Sequence, residues 1–198
     1  MPVLPRDLSL RLDDLGGPLD DPAPLRHAAV LAPLLSEETP GEGPRLLLIE
    51  RAGHLRAHAG QLAFPGGKPE PDDPDLVATA LREAWEEVGL PPGQVTVLGR
   101  LRPVPVPTGF LIIPYVGLVD GPFEPRPQAG EVTAILTPSL RRLSDPSVYR
   151  FVGERTWQGT RYELHEFQIH HPPLWGATAR IVHDLLHRLD LAPPRPAP

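Results

Sequence analysis

The apolar and polar positions divide the chain into short strand-like runs and two long amphipathic stretches. Residues 28–35 form an apolar run that predicts a first strand, placed near a sheet edge because Pro33 cannot donate to a ladder. Residues 45–50 are continuously apolar from Leu46 to Ile49, the pattern of a strand buried on both faces. Further strands are predicted over 95–104 and 110–119, around Pro105-Val-Pro-Thr-Gly109, and over 131–136. A short helix is expected over 138–143, and residues 149–152 and 161–169 can pair across 153–160.

The first long helix is delimited at both ends. Asp73-Pro74 opens it with a capping carboxylate and a proline, and Gly89 followed by Pro91-Pro92 closes it. Between them Val77, Leu81, Ala84, Trp85 and Val88 recur at three- and four-residue steps, which predicts one apolar stripe facing a core. The last helix is expected from about 176 to 189, with Ile181, Val182, Leu185, Leu186 and Leu189 as its inner stripe. Strands interleaved with helices make an α/β layered domain, and no internal repeat is present.

The expected organisation is an N-terminal arm over 1–26, one domain over 27–190 and a flexible proline-rich tail over 191–198. The arm carries Leu8, Leu10, Leu12 and Leu15 among acids, which suits either a docking helix or a loosely held segment. The proline-rich loop over 121–130 is long enough to suggest mobility or a role at a site.

Composition narrows the classes. A chain of 198 residues can bury one core, and a net charge of −6 argues against broad nucleic-acid binding. With no cysteine, disulfides, thiolate zinc sites and thiol nucleophiles are excluded. No apolar run reaches membrane-spanning length and the start lacks a signal pattern, so a cytoplasmic protein without a membrane partner is expected. The pairs His54/His58 and His183/His187 have zinc-like spacing without a flanking glutamate, and both read as surface or substrate-adjacent histidines.

The charged side of the first helix carries the candidate chemistry. Glu83, Glu86 and Glu87 lie at three- and four-residue steps, nearly opposite the apolar stripe and close to the helix C-terminus. Their mutual repulsion and the helix dipole each cost about 0.5 kcal/mol on an exposed surface. Spacing alone therefore leaves two readings open, a solvated acidic face and a site for a hard divalent cation. Gly66-Gly67 supplies backbone that can approach an ion or a phosphate closely.

These residues carry a resemblance. Arg82-Glu83-Ala84-Trp85-Glu86-Glu87-Val88-Gly89-Leu90 is similar to the second half of the Nudix box, G-x5-E-x7-R-E-U-x-E-E-x-G-U, with Ala84 at the first bulky position. Gly67 lies one residue farther from Arg82 than that box has it. The middle glutamate has Glu70, Asp72, Asp73 and Asp75 as substitutes. Upstream, Arg51, Ala52, Arg56, Gly60 and Phe64-Pro-Gly-Gly-Lys68 fall in register with LLTxTR(S/A)-x3-R-x3-G-x3-FPGG(K/R), the motif of the coenzyme A diphosphatase branch. Leu48 and Glu50 replace its two threonines, while Leu174-Trp-Gly-Ala-Thr-Ala-Arg-Ile181 resembles the same branch.

The resemblance implies an α/β/α sandwich with a mixed β-sheet. It also implies metal-dependent hydrolysis of the diphosphate of coenzyme A or its thioesters to 3′,5′-ADP and 4′-phosphopantetheine. Mg²⁺ or Mn²⁺ would be held by Glu83, Glu87, Glu86 and the Gly67 carbonyl, with Glu86 alternatively orienting the attacking water and Arg82 orienting the glutamates. Arg51, Arg56 and Lys68 would bind the substrate's phosphates, and Glu131, Glu154 or Glu166 could add a ligand or base. Phe110, Tyr115 and Trp175 suit either a groove for the pantetheine arm or the core. The alternatives are a Nudix hydrolase of another nucleoside diphosphate, such as ADP-ribose or a dinucleotide polyphosphate, and a non-catalytic binding module of the same fold.

Overall fold

In the computed structural model, which describes residues 8–15, 25–35, 43–55, 58–157 and 159–194, the chain forms three layers. The strands and helices up to the middle of the chain are β1 (Arg26–Leu35), β2 (Arg45–Leu46), β3 (Leu48–Arg51), β4 (Leu62–Ala63), β5 (Gly66–Gly67), α1 (Leu76–Val88) and β6 (Val95–Arg100). They continue as β7 (Val104–Val106), β8 (Phe110–Val119), β9 (Val132–Leu136), α2 (Leu140–Leu143), β10 (Tyr149–Trp157), β11 (Thr160–Phe167) and α3 (Gly176–Arg188).

The main sheet runs β2-β1-β8-β6, with β5 added to β1 and β7 to β8. Strands β1 and β8 are parallel in register from Arg26 opposite Phe110 to Leu34 opposite Leu118, and their other partners are antiparallel. The sheet is therefore mixed, as expected. A smaller antiparallel sheet, β4-β3-β9, and the β10-β11 hairpin complete the strands.

Two apolar clusters hold the layers together. On one side Ala80, Ala84 and Val88 of α1 pack with Ala29, Leu31, Leu111 and Ile113. On the other, Ile181, Val182, Leu185 and Leu186 of α3 pack with Ala32, Leu34, Val104 and Val116. Burial on both faces is why β1 and β8 read as continuous apolar runs.

Pro33 does not mark an edge. It sits where β1 changes partners, beyond the stretch paired with β5 (Ala29 and Val30) and before the stretch paired with β2 (Leu34 and Leu35). A missing N–H is tolerated there, and the Pro33 carbonyl accepts from the Leu47 N–H at 3.1 Å. Pro114 stands at the matching gap in β8, between its pairings with β7 and β6.

Helix α1 departs from expectation at two points. Its N-cap is Asp75, whose side chain accepts from the Ala78 N–H, so the helix starts after the Asp73-Pro74 pair. Trp85 is 52% exposed and belongs to no core stripe. The helix contacts the sheet through the small side chains Ala80 and Ala84, and at 100° per residue Trp85 is turned about 140° from Ala80. The C-terminus closes as predicted, with Gly89 in the left-handed region (φ 71°) donating to Trp85 and Leu90 donating to Ala84.

The loop over 121–130 is tied to the end of α1, because Arg126 and Gln128 donate to the carbonyls of Val88 and Glu87 at 2.8 and 2.9 Å. The predicted strand over 95–104 is interrupted after Arg100, and β7 resumes against a different part of β8. The β10-β11 hairpin is longer than expected, since a bulge between Phe151 and Gly153 lets β10 continue to Trp157. In the N-terminal arm, Leu8 and Leu12 are buried and Asp13 exchanges backbone hydrogen bonds with Arg100. After α3, Leu191 and Ala192 pack against the α3-side cluster. Among the described residues no helix is long and apolar enough to cross a membrane.

Candidate functional site

The candidate site lies where β5 meets α1. Gly66 donates its N–H to Glu87 Oε2 at 2.9 Å, fixing the glycine turn to the helix. Gly66 is required by space, and Gly67 lets the Glu83 carboxylate lie against the turn. A methyl group on Gly66 (φ 157°) would lie 2.4 Å from the Ala29 carbonyl oxygen, and one on Gly67 would lie 2.3 Å from Glu83 Oε1.

Glu87 is not on an exposed acidic face. Seven residues after Ala80, it is turned only about 20° from it, and its side chain is 3% exposed. Burial pushes the Glu87 carboxyl up to about 7, reinforced by Glu83 and Glu131 and opposed by the Gly66 N–H and Arg51. Burial also raises Glu83, with Arg82 opposing it and Glu86 and Glu131 adding repulsion. Glu86 stays 53% exposed, with Oε2 accepting from Arg82 Nη1 at 3.1 Å.

Arg82 is the hub of the site. Its Nε and Nη2 donate to the two oxygens of Asp73 at 3.0 Å each, its Nη1 donates to Glu83 and Glu86, and Nη2 also reaches the Lys68 carbonyl. The Arg82 hydrogen bonds hold the Asp73 carboxyl well below the ordinary carboxylate range. Of the four acids that could replace the box's middle glutamate, Asp75 caps the helix and Glu70 comes within 3.9 Å of Arg82. Asp73 takes the bidentate contact with Arg82. The Asp73-Pro74 pair has the pattern of a helix cap, and Asp75, two residues later, is the signal that leaves Asp73 for Arg82.

Arg51 ends β3 with Nη1 3.6 Å from Glu87 Oε1, and its buried Nε has no hydrogen-bond partner. Lys68 lies over the ring of Phe110. Arg56 is outside the described residues. Of the later acids, Glu131 acts on both Glu83 and Glu87, whereas Glu154 pairs with Arg161 on the hairpin and Glu166 accepts from Gln168. Tyr115 is core and Trp175 is exposed. His183 is half-buried and stacks on the buried His165 at 4.0 Å, and the exposed His58 contacts Gln61.

A profile of the NUDIX domain matches residues 25–143. The chain belongs to the NUDIX family. The uncharacterized Nudix hydrolase NudL of Photorhabdus laumondii is 40% identical over 167 residues, covering 84% of this chain and 86% of the relative. NudL of Enterobacter sp. is 40% identical over 169 residues, covering 85% of each. Among solved structures, the Nudix hydrolase RenU from M. Smegmatis matches with a TM-score of 0.50 at 24% identity, over 61% of this chain and 74% of that one. That likeness concerns the fold.

Nudix hydrolases generally use divalent ions such as Mg²⁺ or Mn²⁺. The donors here suit such an ion. Glu83 and Glu87 are hard oxygen donors whose carboxyls are raised by burial and by neighbouring carboxylates, and Gly67 brings its backbone beside Glu83. Among the described residues no three acidic or imidazole groups already converge as a ligand set, in keeping with Glu86 being drawn outward to Arg82.

Proposed function

We propose that this Nudix hydrolase cleaves the diphosphate of coenzyme A or its thioesters to 3′,5′-ADP and 4′-phosphopantetheine or its acyl form. The observation that carries the reading is Arg51. The first arginine of the coenzyme A motif stands 3.6 Å from the buried Glu87, with an Nε donor that no group among the described residues satisfies. A guanidinium so placed matches the fork of oxygens on a diphosphate. Arg51 is tied to the glycine of the same motif, because its N–H donates to the Gln61 carbonyl and its carbonyl accepts from the Gly60 N–H. Phe64, in the same motif, is buried in the core.

In this reading Glu83, Glu87 and the Gly67 carbonyl hold the divalent ion, with Glu86 as a further ligand or as the group that orients water. The ion would supply positive charge at the phosphoryl oxygens. Arg82 positions Glu83 and Glu86 through hydrogen bonds of 3.1 Å to each. Arg51 and Lys68 bind the substrate's phosphates. In the reaction, water oxygen forms a new bond to one phosphorus while the bridging P–O bond breaks. The departing phosphate keeps the electron pair, and the water proton is released.

The test is product analysis after incubating the purified protein with coenzyme A and Mg²⁺ or Mn²⁺, with a chelator control. Metal-dependent 3′,5′-ADP and 4′-phosphopantetheine are expected. Hydrolysis of ADP-ribose or a dinucleotide polyphosphate with coenzyme A untouched would move the protein to another branch of the family. No divalent ion bound in a titration would point to a binding module.

A further inference from the structure

We propose that Arg26, Phe110 and Lys68 form a subsite for the phosphate that the substrate carries outside its scissile diphosphate. This rests on the coenzyme A reading, where that group is the 3′-phosphate of the adenosine.

Arg26 opens β1 and Phe110 opens β8, and the parallel register sets them side by side. The Arg26 guanidinium carbon lies 4.1 Å from the centre of the Phe110 ring, and Lys68 Nζ lies 5.5 Å from the same point. Two cations therefore converge on one ring, separated by no more than about 10 Å. Each cation rests against the π face of the ring, and both side chains are exposed. Their charge therefore faces solvent, where an anion can meet both.

Among the described residues none supplies one. Arg26 donates from Nη2 to the Thr108 carbonyl at 3.3 Å, and neither cation forms an ion pair with a carboxylate of the described residues. Acidic side chains are not scarce nearby, for Glu70, Asp72 and Asp73 follow Lys68 closely in a chain of net charge −6. The β7-β8 turn takes the Arg26 backbone N–H, which donates to Gly109 at 3.1 Å, and one guanidinium donor. Among the described residues, most of the five guanidinium N–H donors are left open to a ligand.

The position suits a peripheral phosphate. Gly67 faces Glu83 on α1, and Lys68 follows it directly. Phe110 shares a face of β8 with Ile112, which packs on the α3 side. Lys68 is thus one residue from the glycine turn in sequence, and the ring it lies over is on the side of the sheet away from α1. An extended dinucleotide whose diphosphate lies at Gly67 can place a second phosphate there, where a guanidinium fork and an ammonium match a dianion.

The experiment compares coenzyme A with dephospho-coenzyme A in the wild type, Arg26→Gln, Lys68→Gln and Phe110→Leu, with thermal unfolding as a folding check. The KM for coenzyme A is expected to rise about tenfold in each charge variant, with smaller effects for Phe110→Leu. The KM for dephospho-coenzyme A should stay within about twofold in Arg26→Gln. Equal changes for both substrates, or none for either, would overturn the subsite while leaving the coenzyme A reading intact. A wild type that cleaves neither substrate would overturn that reading, and the subsite is then judged by titration alone. Metal-free protein should bind adenosine 3′,5′-bisphosphate about tenfold tighter than adenosine 5′-monophosphate, and Arg26→Gln should erase the difference. Equal affinity in the wild type would refute the subsite.

Discussion

Arg82 grips Asp73 through two parallel hydrogen bonds of 3.0 Å, joining the middle of α1 to the loop that precedes it. The Asp73 side chain is 6% exposed, so the pair is largely shielded from water. The same guanidinium donates to Glu83 and Glu86, so one side chain ties the loop to the acidic face of the helix.

Breaking that grip should disturb the site as well as the fold. Asp73→Asn is expected to lower stability by about 2 kcal/mol, since the remaining amide can accept from Arg82 at one atom only. Turnover should fall with it while KM changes little. Thermal unfolding and steady-state kinetics check both, and unchanged turnover in a stably folded variant would remove the positioning role of Arg82.

Glu87 sets a pH dependence in the metal-free protein. Its carboxyl is raised from 4.5 to about 7 on folding, so the folded state holds the proton more tightly. That contribution to stability is complete below about pH 4.5 and is lost as pH rises through about 7. Asp73 acts in the opposite sense, its contribution being lost as pH falls below its ordinary value of 3.8. Unfolding in chelator from about pH 5 to about pH 8 should show stability declining with pH, and Glu87→Gln should flatten the slope. An identical slope in the variant would assign it to other groups.

Removing the charge of either inner glutamate separates folding from chemistry. Glu83→Gln and Glu87→Gln should fold and each lose roughly a thousandfold in turnover, with weakened binding of Mg²⁺ or Mn²⁺. Calorimetric titration of the ion and product assays provide the two readouts. Normal turnover in either variant would dissolve the proposed metal site.

Gly67→Ala tests the closeness of turn and helix. The atoms in the way are the carboxylate end of Glu83, which can swing aside, so stability should stay within about 1 kcal/mol of wild type. The displaced carboxylate should nonetheless reduce ion affinity and turnover at least tenfold. A variant with full activity would show that Glu83 need not lie against Gly67.

Much of the architecture was legible along the chain. The end of α1 at Gly89, the extent of α3 and the apolar runs of β1 and β8 were readable because caps, prolines and periodicity act within a few residues. So was the grouping of Glu83, Glu86 and Glu87 on one stretch of helix. Periodicity misled where width mattered. It drew Trp85 into the core stripe and placed Glu87 opposite that stripe, because a helical wheel does not reveal how close Ala80 and Ala84 let the helix approach the sheet.

The remaining features depend on parts of the chain that meet only after folding. Pro33 is interior because β5 and β2 divide one side of β1 between them. Asp73 belongs to Arg82 because the preceding loop folds back along α1. Arg26 meets Phe110 through a parallel register, and Lys68 joins them from the end of β5. Local sequence specifies where a helix begins and which residue types it carries, since those choices are governed by backbone dihedrals and neighbours in the chain. Which carboxylate is buried, and which cations share a ring, is set by strand register and layer packing. Those depend on the whole core at once.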